Sequence, residues 1–263
     1  MLINIFKLFK LELLFMKYNL KAMLQYKTSY FLSIIYELLE GATSLVYYYF
    51  IFGKIDNLAG WTQVQLLLLT VYGYFINTVC VMFFIGMVSI PDYIRSGTLD
   101  LLLLKPVNKR FLLTFRRPNT VQIINVGISI IVFICYFVFN KTKLEVILIF
   151  IFASILSITI MYSIFCTFVS LSFWFIKIGS AWTIIEDMNL MATKPDKIYP
   201  KGLRLIMTFF IPSLAIVNMP IKYLVEHDLR LIFLQLFPLT IFFILLSKSV
   251  FKLGLKKYSS AGG

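Results

Sequence analysis

Hydrophobic residues in this chain fall into long, nearly unbroken runs, and six of them are long enough to be helices crossing a bilayer. Crossing about 30 Å of hydrocarbon takes roughly 20 helical residues. By that measure the runs predict spans from Tyr30 to Phe52, Val64 to Ile90, Val121 to Phe139, Val146 to Phe173, Leu205 to Leu224 and Leu231 to Phe251. Tyr47, Tyr48, Tyr49, Trp61 and Tyr136 fall near predicted ends, where aromatic rings sit between hydrocarbon and water. The expected fold class is all-α, a single polytopic domain over residues 1–263.

One region does not fit this pattern. Residues 174–204 are only moderately apolar and contain Glu186, Asp187, Pro195 and Pro200. An alternative fifth span runs from 174 to 193, with the stretch up to Arg230 outside the membrane. Pro212 and Pro220 then sit in a broken, re-entrant hairpin, which needs protein or a water-filled cavity to satisfy its backbone. Charge counting favours the span at Leu205–Leu224, and both versions keep the C-terminus on the same side.

The basic residues gather in alternate connections. Lys7, Lys10, Lys17, Lys21 and Lys27 precede the first span, and Arg95, Lys105, Lys109, Arg110, Arg116 and Arg117 follow the second. Lys177, Lys194, Lys197, Lys201 and Arg204 follow the fourth, and Lys248, Lys252, Lys256 and Lys257 close the last. Only Lys54, Lys141, Lys143, Lys222 and Arg230 of the 25 basic residues lie elsewhere. Positive charge is retained on the cytoplasmic side, so both termini are expected there. The net charge of +13 is thus a topology signal, and nucleic acid is not an expected partner, since its footprint is one continuous basic face. A mean hydropathy of +0.89 and 60% hydrophobic residues agree with a chain dissolved in lipid.

The first 27 residues carry no cleavable signal, because basic residues recur through Lys27. At 100° per residue, Lys7, Lys10, Lys17 and Lys21 share one face while Ile5, Phe9, Met16, Leu20 and Met23 lie broadly opposite. This predicts an amphipathic helix lying in the cytoplasmic interface. Glu12 interrupts its apolar face and invites a basic partner from another element.

Candidate chemistry is sparse. Cys80, Cys135 and Cys166 fall inside predicted spans without metal-ligand spacing, and His227 stands alone in a polar turn. No phosphate-cradling GxxxxGK[ST], no HExxH and no GxSxG is present, so any ATP-driven work requires an ATPase on another polypeptide. Glu37 and Glu40 are three residues apart on one helical face inside the first span. Eleven Leu, Ile, Val and Phe residues between Phe31 and Phe52 favour insertion by about 3 to 7 kcal/mol, and two central carboxylates offset about 5 to 7. That face is expected to turn from lipid toward polar groups such as Gln122 and Asn125, or toward a water-filled path. As a transport site, Glu37 and Glu40 also admit an ion-coupled carrier, although the internal repeats typical of such carriers are missing. A membrane-embedded transferase is a further class, for which no catalytic constellation is evident.

The connection after the second span has the most specific local pattern. From Ile94 to Val107 it reads I-R-S-G-T-L-D-L-L-L-L-K-P-V, where Gly97 permits a turn, Asp100 begins a helix and Pro106 ends it. This stretch resembles the cytoplasmic loop of bacterial type-2 ABC exporter permeases, in a subgroup long catalogued as a domain of unknown function. Three later features agree with the resemblance: Phe173-Trp174; the Pro195 to Pro220 segment with Ile198-Tyr199-Pro200, Pro212, Asn218 and Pro220; and the ending from Gly254 to Gly262.

The resemblance implies a six-helix permease subunit of the bacterial plasma membrane, paired with a second identical or related permease and with two copies of a separate ATP-binding subunit. ATP and magnesium are then bound by the partner ATPase and no cofactor by this chain. The loop over residues 91–118 becomes a coupling helix, which carries that role onto Arg95, Gly97, Asp100, Lys105 and Pro106. In related exporters the segment before the last helix is re-entrant on the outer side, which would make Pro212, Asn218 and Pro220 part of an outer gate. The implied function is ATP-driven export of an amphiphilic or hydrophobic cargo such as a lipid, a peptide or an antibiotic.

Overall fold

The computed structural model describes residues 2–52, 58–175 and 181–258. Lys54, Lys177, the segment from Ser259 to Gly262, and the side chains of Tyr47, Tyr48, Tyr49 and Glu186 lie outside the described residues. Among those described, regular structure is helical apart from one isolated bridge between Leu58 and Trp61.

Helix α1 (Leu2–Leu24) covers the predicted amphipathic segment, and a turn at Gln25–Tyr26 leads into α2 (Lys27–Phe52). Helix α3 (Gln63–Phe84) opens with a capping box, in which Thr62 Oγ1 accepts from Gln65 N–H and Gln65 Oε1 accepts from Thr62 N–H. A 3-10 stretch (Ile85–Ser89) carries it into α4 (Ile90–Arg95), followed by α5 (Leu99–Leu103) and α6 (Lys109–Phe115). The remaining helices are α7 (Ile123–Phe139), α8 (Leu144–Ser170), α9 (Ala181–Ala192), α10 (Lys201–Leu205), α11 (Ser213–Glu226) and α12 (Phe237–Lys257).

Four continuous helical stretches are long and apolar enough to cross a membrane: Gln63–Arg95, Thr120–Phe139, Leu144–Phe173 and Leu231–Lys257. They contain the second, third, fourth and sixth predicted spans, the second running on to Arg95 and the sixth to Lys257. The first predicted span is helical as α2, yet α2, which carries Glu37 and Glu40, is not among the four. Among the described residues the count by length and composition is thus four, or five when one bent helix pair is included.

That bent pair is where Leu205–Leu224 departs most from expectation. The predicted single helix is instead two limbs, Lys201–Phe210 and Ser213–Glu226, meeting at 92°. The break has a local cause: Pro212 cannot donate a backbone hydrogen bond, and a π-type turn over Ile206–Phe210 ends just before it.

Helix directions follow from which residues meet. Phe84 meets Tyr162 and Tyr72 meets Phe150, so α3 and α8 run parallel. Phe152 stacks on Phe233 and Phe173 meets Phe251, so α12 runs parallel to both. Helix α7 runs antiparallel to α3, with Tyr72 edge-on to Phe133 and Asn119 N–H donating to Met82 O. Helix α9 is antiparallel too, since Asn189 donates to Asn77 and Thr193 lies against Gly73. The core is one apolar cluster running along α3, α8 and α11, with Tyr72, Leu66, Ile76, Ile160 and Ile216 inaccessible to solvent.

Candidate functional site

The end of the bundle that carries α4, α5 and α6 is built on a sharp reversal. Helix α4 starts with Pro91 in its first turn, where a missing N–H costs nothing, and ends with Arg95 paired to Asp92 one turn earlier. Ser96 Oγ donates back to Asp92 O, and Gly97 adopts φ 68°, a left-handed conformation that a side chain resists. The chain then enters α5, whose Asp100 stands in the first turn, the favourable place for an acid. Leu99 and Leu102 anchor this short helix in the core at 0% and 5% exposure. Leu101 and Leu104 face outward at 66% and 81%. Pro106 follows in a tight turn in which Val107 N–H donates to Lys105 O, and Asn108 caps α6 by accepting from Phe111 N–H. The product is a short ridge with two bare leucines flanked by the exposed charges of Arg95 and Lys105.

Behind that ridge, three distant parts of the sequence converge. Phe173 packs edge-on against Phe251 and Tyr258 at 6.2 Å between ring centroids in each case. Gly254 lies so close to Phe173 that a Cβ there would meet its ring at 2.4 Å, which explains why this turn of α12 carries glycine. Asp100 of α5 lies beside the Tyr258 phenol; burial and this carboxylate push the phenol above its ordinary pKa. Asp100 therefore points back toward α12, and the outward ridge belongs to Leu101, Leu104 and Lys105.

At the opposite end, Asn218 ties the second limb of the bent pair to α9. Its Nδ2 donates to Ala192 O at 2.9 Å and Lys194 O at 3.3 Å, and its Oδ1 accepts from Asp196 N–H at 3.1 Å. Asp196 also holds Lys222 at 2.7 Å, a largely shielded ion pair. Pro220 lies inside α11 and supplies no N–H to the carbonyl of Ile216 one turn before it. Ser157 of α8 fills the deficit, donating its hydroxyl to Ile216 O at 2.8 Å, with both residues at 0% exposure. His227 ends α11 with φ 56° and donates its N–H to Tyr223 O, so its role is that of a left-handed helix cap.

The sequence model described as ABC-2 family transporter protein matches residues 38–262. The chain belongs to the ABC-2 transporter family. No curated protein and no solved structure matches it. Members of this family are membrane components of ABC transporters, so the chain is a multi-pass permease of the ABC type, and family membership implies partnership with an ABC ATPase subunit.

In this ABC-2 permease the other expected polar residues are placed differently from one another. Gln122 and Asn125 are both buried at 2% and bond to each other at 3.1 Å, one turn apart at the start of α7. Glu37 is half-buried, with Tyr74 of α3 donating its hydroxyl to the Glu37 backbone carbonyl at 3.1 Å. Glu40 lies on an exposed face of α2. The carboxylate pair thus meets α3 at Tyr74, and the Gln122–Asn125 pair serves α7 itself. Cys80 and Cys166 are buried and Cys135 is exposed; no cluster of three or more His, Cys, Asp and Glu that could hold a metal ion occurs among the described residues.

Four groups escape the motif reading: Ser157, the Asp196–Lys222 pair, Tyr258 and Arg110. Only the first had a signal, since a proline within a helix announces an orphaned carbonyl one turn earlier without saying what will satisfy it. Arg110 is the least expected. Its guanidinium leaves α6, donates to Ser247 of α12 at 2.8 Å and lies 4.8 Å from the centre of the Tyr162 ring of α8.

Proposed function

We propose that this chain is the membrane subunit of an ATP-driven exporter, and that the α5 ridge is the part its ATPase grips. The observation that carries this reading is the division of α5 into two buried leucines, which fix it, and two that stay bare among the described residues. An exposed apolar pair on a rigid five-residue helix, flanked by Arg95, Lys105 and Pro106, suits a groove in a nucleotide-binding subunit. Two ATPase copies, carrying ATP and magnesium, act on two permeases, and the exposed Glu40 face of α2 is turned to the second permease or to the path between them. When the ATPase dimer closes, α5 shifts; Asp100 at Tyr258 and Phe173 at Gly254 pass the shift to α12 and α8.

The parallel course of α8 and α12 supports six crossings in this account. A chain that leaves α8 and enters α12 in the same direction must return once between them, and α9 makes that return. The limbs Lys201–Phe210 and Ser213–Glu226 then form a re-entrant hairpin on the outer side, with Pro212, Asn218 and Pro220 as its hinge and brace. Both termini lie in the cytoplasm of a bacterial cell, and α1 rests on the inner face of its plasma membrane. The cargo is amphiphilic or hydrophobic, in keeping with walls of aliphatic and aromatic residues.

Affinity purification from native membranes tests the reading. The wild-type chain is expected to retain an ABC ATPase, and Leu101→Asp with Leu104→Asp to lose it while the permease still inserts and elutes as a single species. Retention of the ATPase by the double variant would refute the assignment of the ridge.

A further inference from the structure

A groove of about 290 Å³ lies between α1, α6 and α8 and is open along one side. Leu8 of α1, Phe111 and Phe115 of α6 and Ile158 of α8 give it apolar walls. Against these walls stands a single cation, Arg110, whose Nε is shielded from solvent without a hydrogen-bond partner. Neither the Arg95–Asp92 nor the Lys222–Asp196 ion pair involves Arg110. Glu12, one turn along α1 from Leu8, does not serve either, since both of its carboxylate oxygens are buried without a partner. A partly desolvated guanidinium held by a neutral serine and an aromatic ring attracts an anion strongly, because nothing nearby neutralises it.

We infer that this groove binds an anionic membrane lipid, with an acyl chain along Phe111, Phe115 and Ile158 and the acidic head group on Arg110. Thr159 and Tyr162, over whose ring the guanidinium lies, complete the lining on the α8 side. The volume falls just below the range of about 300–1,000 Å³ for sites that engulf a small molecule, and it suits a head group with part of one chain. A lipid is the occupant, in preference to a soluble anion, because one wall is the amphipathic helix α1, which on the membrane-permease reading lies in the interface. The length of α8 agrees with that level. The stretch Leu144–Phe173 has 30 residues, and at about 1.5 Å per residue it exceeds the hydrocarbon thickness by about 15 Å. Tyr162 lies about three turns inside the α5 end of that stretch, so an overhang on this side sets Arg110 near the boundary with the head groups.

The test uses the purified full chain in detergent, presented with equal amounts of phosphatidylglycerol and phosphatidylcholine of identical acyl chains, with retained lipid counted by native mass spectrometry. Wild type is expected to prefer phosphatidylglycerol roughly tenfold, equivalent to about 1.4 kcal/mol. Arg110→Gln should bring the ratio near unity, Lys109→Gln on the exposed side of the same helix should leave it unchanged, and Thr159→Trp, which fills the groove and spares Arg110, should abolish the preference. Equal retention by wild type, an unchanged preference in Arg110→Gln or Thr159→Trp, or an equal loss in Lys109→Gln would overturn the inference. Displacement of the lipid by millimolar inorganic phosphate would assign the site to a soluble anion and overturn it too. If neither groove variant folds, phosphatidylglycerol with a photoactivatable chain must crosslink wild type within residues 108–115 or 158–162, and crosslinks confined elsewhere would sink the idea. The ATPase takes no part in this measurement, so its failure to co-purify would leave the result intact.

Discussion

Replacing Ser157 by alanine removes one hydroxyl from the centre of the bundle and leaves the Ile216 carbonyl, already deprived of its helical donor by Pro220, with none. An unsatisfied buried carbonyl costs about 1–3 kcal/mol in water-soluble proteins, whereas side-chain hydrogen bonds between membrane helices average about 0.6 and reach about 1.7 kcal/mol. Since the backbone has no alternative partner here, a value near the upper membrane figure is expected, about 1.5 kcal/mol. For a chain of this size that corresponds to a fall in Tm of about 3–6 °C. The decisive experiment is a double-mutant cycle with Pro220→Ala, which returns an N–H to position 220 and with it the ordinary bond to Ile216 O. Thermal unfolding of the purified protein in detergent should show Ser157→Ala costing about 1.5 kcal/mol in the wild-type background and less than about 0.5 in Pro220→Ala. Packing lost with the proline ring cancels in the cycle. An equal cost in both backgrounds would show that Ser157 does not act through the Ile216 carbonyl.

Two further outcomes are expected. Gly254→Ala places a methyl group 2.4 Å from the Phe173 ring, which Phe251 and Tyr258 prevent from swinging aside, so it should destabilise by about 1–3 kcal/mol, and Phe173→Leu in the same protein should recover most of the loss in Tm. Glu12 has its carboxyl pKa raised by burial from 4.5 to about 7, so its protonated form is the one that suits the folded protein. Its contribution to stability is fully present below pH 4.5 and is lost as pH rises through 7. Glu12→Gln should therefore match wild type near pH 4.5 and melt higher than wild type at pH 8; a difference in Tm that stays constant across that range would refute the reasoning.

Length and hydropathy made four spans legible to within about six residues at either end, because a bilayer imposes one dimension on every helix that crosses it. The same criterion did not show the bend within Leu205–Leu224. Its composition is apolar enough for a span, but Pro212 breaks the helix, and the groups that brace the second limb at Asn218 are backbone atoms of Ala192, Lys194 and Asp196, which hydropathy does not register. The loop from Ile94 to Val107 was recognisable through Gly97 and Pro106, whose backbone demands leave a mark in sequence. That Asp100 turns inward to Tyr258 while Leu101 and Leu104 turn outward was not legible, because helical phase over five residues depends on what the neighbours bury. Arg110 left no sign among the basic residues around it; only tertiary packing separates one guanidinium under a tyrosine ring from lysines in water.

Helix α8 meets the Ile216 carbonyl at Ser157, and the stretch it heads ends at Phe173, sixteen residues on and about 24 Å away, against Gly254. No proline, glycine or π-type turn lies between those two points, and the helix tightens to a 3-10 turn only over Leu171–Phe173, so the interval is a continuous helical strut. A tug on the Phe173 collar would reach the elbow at Pro212 as nearly pure translation of the strut, and its timing would be set by whatever pulls rather than by any relaxation along the way.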